Sequence, residues 1–208
     1  MGQRARHAWL LAGIAGYVDA ACFLLYDAFA AQMTGNTVLL AIDLAKEEWV
    51  RAGHHLAIIL AFLVGIWIAT VAGRRSIGAW APLLLSAGVV GAAGLLGTHW
   101  WVAALLAVGM GLQNATARHF GTTVLNTAFI TGDMQKMVGS LSDPNPDVDT
   151  KRTGRLLAVL VLSYLAGAVF GAVMSQRLAY PLLVPATLML LLLADVAHVE
   201  RTGDGNSG

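Results

Sequence analysis

Long apolar runs recur along the whole chain, at residues 8–26, 52–73, 79–97, 100–118, 154–176 and 180–198. At 1.5 Å per residue, the 19 residues of the first run reach roughly 28 Å as a helix, about the thickness of a bilayer's hydrocarbon core. In that medium a backbone must satisfy its own hydrogen bonds, so these runs are restricted to helices. Their number points to a polytopic membrane protein rather than a soluble domain with one anchor. Composition agrees: 57% of the 208 residues are hydrophobic, 12% are charged and the mean hydropathy is +0.68. Soluble domains carry about 25% charge. The net charge of +1 gives no reason to expect nucleic acid as a partner.

Two polar breaks interrupt this pattern. Met33-Thr34-Gly35-Asn36 and Ile130-Thr131-Gly132-Asp133 lie 97 residues apart, and each separates a long run from a shorter one. Residues 28–35 read as a broken segment and 36–45 as a short helix; residues 121–132 and 133–141 repeat that order. Asn36 and Asp133 are suited to be N-caps of the short helices. Other stretches repeat in the same order. Gly16-Tyr17-Val18-Asp19-Ala20 aligns with Gly111-Leu112-Gln113-Asn114-Ala115, Phe62-Leu63-Val64-Gly65 with Tyr164-Leu165-Ala166-Gly167, and Arg75 with Arg177.

The expected fold is therefore an all-α membrane protein with about six transmembrane helices and two broken, re-entrant half-helices. It forms one domain over 1–208, built as two inverted three-span repeats, approximately 8–97 and 100–198, with a disordered tail at 199–208. Lys151, Arg152 and Arg155 are expected to lead into the fifth span. Basic residues support six spans. With the N-terminus inside, nine lysines and arginines are cytoplasmic and three are outside, leaving Lys136 uncounted; eight spans give eight against four. Both termini are then cytoplasmic. The basic N-terminus leads into a first run without a small-residue cleavage site, as for a retained span.

Chemistry concentrates at the breaks. The first N–H groups of a helix lack internal partners, and its N-terminus carries partial positive charge. Two such ends facing each other near the bilayer midplane form a site for a small polar or anionic solute. The substrate-binding candidates are Asp19, Thr34, Gly35, Asn36, Gln113, Asn114, Thr131, Gly132, Asp133 and Lys136. Asp19 stands out as the acidic residue deep within a long run. A satisfied interhelical hydrogen bond would also explain it, and capping alone would explain both breaks.

The chain carries no visible catalytic constellation, P-loop or CxxC, so it is not expected to be an enzyme, and no cofactor or metal is expected. Adjacent His54 and His55 point to different helix faces, which disfavours a shared metal. Cys22 is alone and is read as a small buried residue. Recurrent glycines, including the GxxxG pair Gly167 and Gly171, favour close helix packing. The expected partners are membrane lipid, the solute and a second copy in a homodimer. A scaffold or accessory subunit with purely structural breaks is the alternative.

The motifs from Gly16 to Ala20, Met33 to Thr37, Gly111 to Ala115 with Arg118, and Thr131-Gly132 together resemble the YoaK-like bacterial membrane proteins, a family defined as a domain of unknown function. The resemblance covers roughly residues 8–198 and implies a bacterial inner-membrane protein of about six spans. It implies no substrate. The short helices also look like the crossed half-helices of sulfate- and nucleobase-type transporters, a likeness of architecture alone.

Overall fold

The computed structural model describes residues 3–75, 78, 80–117, 130–143, 145 and 147–203. They form α-helices and no strands: α1 (Gln3–Tyr26), α2 (Met33–Ala45), α3 (Trp49–Arg74), α4 (Trp80–Leu95), α5 (Trp100–Ala117), α6 (Ile130–Ser142), α7 (Val148–Arg177) and α8 (Leu183–Gly203). Residues 6–26 of α1, with α3 and α7, are long and apolar enough to cross a membrane. The 13-residue α2 rises only about 20 Å and the 16-residue α4 about 24 Å, each less than a full hydrocarbon thickness.

Several boundaries depart from the sequence expectation for local chemical reasons. α7 begins at Val148, not 154, because Asp147 caps it by accepting a hydrogen bond from the Thr150 N–H at 2.7 Å. Lys151, Arg152 and Arg155 thus lie inside the helix rather than before it. α8 starts at Leu183, after the turn through Tyr180 and Pro181, and Pro185 falls in its first turn, where no N–H is needed. It continues to Gly203, so residues 199–203 are helical, contrary to the expected tail; 204–208 lie outside the described residues. α1 and α2 both end on residues in the left-handed region, Asp27 at φ 54° and Glu47 at φ 60°.

Packing interleaves the two halves of the chain. α1 lies chiefly on α7, and α5 chiefly on α3; α1 and α5 meet between them. α4 joins α5 to α8, while α2 lies on α3 and α6 on α7. The two principal crossings run backbone against backbone. Gly16 abuts the Tyr164 carbonyl and Gly167 the Gly13 carbonyl; Gly111 abuts the Phe62 carbonyl and Gly65 the Val108 carbonyl. The residues paired in the sequence alignment, Gly16 with Gly111 and Tyr164 with Phe62, thus occupy matching places in the two crossings.

Contacts at helix ends place the chain's levels. Arg6 near the start of α1 meets Asp195 in the second half of α8 at 2.8 Å. At the opposite end of α1, the Tyr26 hydroxyl donates to the Gly97 carbonyl at 3.0 Å, and His54 of α3 stacks on Trp100 of α5 with ring centroids 4.2 Å apart.

Candidate functional site

The segment joining α1 to α2 is held by side chains at both of its ends. Asp19 is buried and accepts from the Ala31 N–H at 2.6 Å and from the Tyr164 hydroxyl at 2.7 Å. Gln32 donates to that same hydroxyl at 3.1 Å. Asn36 is fully buried and grips Phe29 on both sides: its Oδ1 accepts from the Phe29 N–H at 2.9 Å and its Nδ2 donates to the Phe29 carbonyl at 2.7 Å. The ring of Phe29 stacks on Phe23, and a Cβ at Gly35 would meet it at 2.8 Å. Gly35 is therefore the residue that lets this ring lie against α2.

These contacts correct the capping assignment. α2 already starts at Met33, so Asn36 is its fourth residue; Gln32 occupies the N-cap and makes no side-chain cap bond. Asn36 satisfies the connecting loop, not its own helix end. Thr34 is exposed, and Asp19 is committed to backbone and tyrosine. The first-half candidates thus split between a polar lock and a surface threonine.

The second-half counterparts differ. Gln113 donates to the Leu11 carbonyl of α1 at 2.8 Å. Its Oε1 has no partner among the described residues, nor do either polar atom of Asn114 or Oδ2 of Asp133. All three residues are buried. The described part of α6 starts at Ile130, which makes residues 130–132 helical rather than broken and removes Asp133 from the N-cap. Residues 121–129, the rest of the expected broken segment, lie outside the described residues. Thr131 and Lys136 are exposed, and nothing lies within 4 Å of a Cβ built on Gly132. The charge of Lys136 acts on Asp133.

The expected meeting of the two short helices is not what the packing gives. Among the described residues α2 and α6 do not touch, since one lies on α3 and the other on α7. The candidates therefore form two groups: Asp19, Gly35 and Asn36 around the first loop, and Gln113 with Asn114 at the end of α5. Asp133 on α6 is packed separately.

Sequence reading missed Tyr164, which anchors Asp19 from 145 residues away. It also missed a charged cluster between α2 and α3. Asp43 lies 3.2 Å from His55, at ion-pair distance though off the hydrogen-bond line, and 3.9 Å from Arg51, which meets Glu48 at 3.0 Å. The signal was present: Asp43 and His55 are polar residues on otherwise apolar helices, and both are buried. No group of metal-ligating side chains occurs among the described residues.

Comparison with known proteins places this architecture. The family model described as "Protein of unknown function (DUF1275)" matches residues 7–194. The chain is similar to UPF0700 transmembrane protein YoaK of Bacillus subtilis (strain 168), at 26% identity over 181 residues, covering 78% of this chain and 80% of that protein. No solved structure matches the chain. Glycine-built crossings, long apolar helices and a match over nearly the whole length lead to one assignment: the chain belongs to the DUF1275 family of transmembrane proteins, whose function is unknown.

Proposed function

We propose that this protein is a small solute transporter of the bacterial inner membrane, with six spans in two inverted three-span units and both termini in the cytoplasm. The observation that carries the reading is the contrast between the candidates around the first loop and their counterparts in the second half. Asp19 and Asn36 have partners for both of their polar atoms, whereas Gln113 Oε1, both atoms of Asn114 and Asp133 Oδ2 are buried without a described partner. A polar group left unpaired away from water costs about 1–3 kcal/mol, which a bound solute would recover.

At the end of α5, two of the three unpartnered atoms, Gln113 Oε1 and Asn114 Oδ1, are acceptors, and the third is the Asn114 amide nitrogen. That balance favours a donor-rich solute, such as an amine, amide or polyol, over an anion. The matched crossings of α1 on α7 and α5 on α3 support the inverted repeat. Re-entry of α2 is supported from both of its ends. Ala31, just before α2, reaches Asp19, seven residues or about 10 Å short of the end of α1, and Asp43 near its finish meets the opening turns of α3.

A thermal-shift screen of purified protein against amines, amides, polyols, nucleobases and anions tests this. A solute at 100 times its Kd stabilises by about 2.7 kcal/mol. Asn114→Leu and Gln113→Leu should each remove the shift; a shift that persists in both places the site elsewhere. Uptake of the hit into proteoliposomes separates transport from binding.

The second reading is a non-transporting scaffold, favoured by the complete hydrogen bonding of Asp19 and Asn36. It expects no solute-dependent shift. A homodimer would add scaffold around two compact units in either reading.

A further inference from the structure

A groove of about 670 Å³ opens between α1, α7 and α8, and no residue of the proposed solute site lines it. Its walls are apolar, with Trp9, Ile14, Phe170, Leu188 and Leu191 among them, and its floor is the close contact of Gly13 with Gly167. Arg6 and Asp195 stand at one end.

One residue difference between the repeats accounts for the opening. In the register that pairs Gly16 with Gly111, Ile14 corresponds to Gly109. At Gly109 the missing side chain admits α4: a Cβ there would meet Val90 at 3.0 Å, and the Ser86 hydroxyl donates to the Gly109 carbonyl at 2.6 Å. On α1 the Ile14 side chain stands in that place. α8 accordingly touches α1 lightly, whereas α4 packs fully on α5.

We propose that this groove binds a zwitterionic membrane lipid, its acyl chain along the apolar walls, its phosphate on Arg6 and its ammonium on Asp195. The volume lies within the roughly 300–1,000 Å³ usual for ligand sites. The ion pair at its mouth is half-open, with side-chain exposures of 47% for Arg6 and 39% for Asp195. Arg6 and His7 both contact Oδ2 of Asp195, at 2.8 Å each, so Oδ1 and the other guanidinium donors are left to face a headgroup. An open pair of opposite charges matches a headgroup carrying both signs better than one carrying a single negative charge. Trp9 at this end suits the headgroup level of a bilayer. A second copy of the chain is a poorer occupant, because a two-fold contact sets the same surface against itself and two concave grooves would enclose a void.

The test is native mass spectrometry of the full chain after exchange into bilayers of defined composition. Phosphatidylethanolamine should be retained over phosphatidylglycerol, whose head lacks the ammonium, and over phosphatidylcholine, whose ammonium has no N–H to donate. Ala166→Trp, at an exposed wall position, should cut retention about tenfold, equivalent to ~1.4 kcal/mol. Arg6→Gln should abolish the headgroup preference, and it keeps the test open if the bulky variant does not fold. Equal retention of all three lipids by the parent overturns the proposal, as does full retention in Ala166→Trp or an unchanged headgroup preference in Arg6→Gln. Competition by free phosphoethanolamine as strong as that by the lipid overturns the acyl-chain assignment. Loss of a dimer in Ala166→Trp with lipid retention unchanged assigns the groove to a second copy instead.

Discussion

Gly16 lies so close to the carbonyl of Tyr164 that a Cβ on it has no room, and Gly111 stands in the same relation to the carbonyl of Phe62. The obstacle is backbone in both cases and cannot rotate away. Gly16→Ala and Gly111→Ala are each expected to lower stability by about 1–3 kcal/mol, the usual cost of overpacking. Gly53 has nothing within 4 Å of a Cβ, so Gly53→Ala should be neutral or raise stability by about 0.5–1 kcal/mol through helix propensity. Melting temperatures of the purified variants in one detergent make the comparison.

Asp19 and Tyr164 act as one unit around the loop before α2. Asp19→Leu leaves the Ala31 N–H and the tyrosine hydroxyl without their acceptor, at about 1–3 kcal/mol. Tyr164→Phe removes one donor and should cost less. The double variant should show a coupling of about 0.5 kcal/mol or more. Strict additivity would mean that the two side chains do not share a role.

Re-entry of α2 predicts that its flanking turns face the same side. In a Cys22→Ser background, Asp27→Cys and Glu47→Cys should both react with a membrane-impermeant thiol reagent added from outside. Reaction of one from each side would mean that α2 crosses the membrane and that the span count is wrong.

Asp147 supplies a pH-dependent contribution. Thr150, through its hydroxyl and then its backbone N–H, holds the Asp147 carboxyl below its ordinary range. A depressed value in the folded state means that the stabilisation is present above the unfolded carboxyl value, near 4, and is lost as pH falls through the folded one. The melting temperature should therefore fall less on acidification in Asp147→Asn than in the parent. Equal acid sensitivity would exclude the cap as a contributor.

Much of the architecture was readable because it rests on short-range rules. Apolar length identifies the long helices, and ordered matches such as Gly16 with Gly111 anticipate the two crossings. Boundaries moved where a single cap or proline decides them, as at Asp147 and Pro181. The site was less readable because its partners are remote in sequence. Asn36 looks like a cap by its position after Gly35, yet it bonds to Phe29, seven residues earlier; Asp19 depends on Tyr164, in the other half of the chain. The groove was invisible because Ile14 matters through the distance of α8, which no local pattern records.

The crossings also bear on how the molecule is made. α1 finds its close partner in α7 and α3 finds its own in α5, so each glycine face of the first half waits for a helix synthesised later. Insertion of α1 to α4 leaves the main partners of α1 and α3 still to be made. Assembly is then completed after translation of α7, by a post-insertional zipping of two helices whose backbones meet at glycines. Cutting the chain in the loop near Gly97 would yield two fragments whose principal crossings form only when the halves meet again.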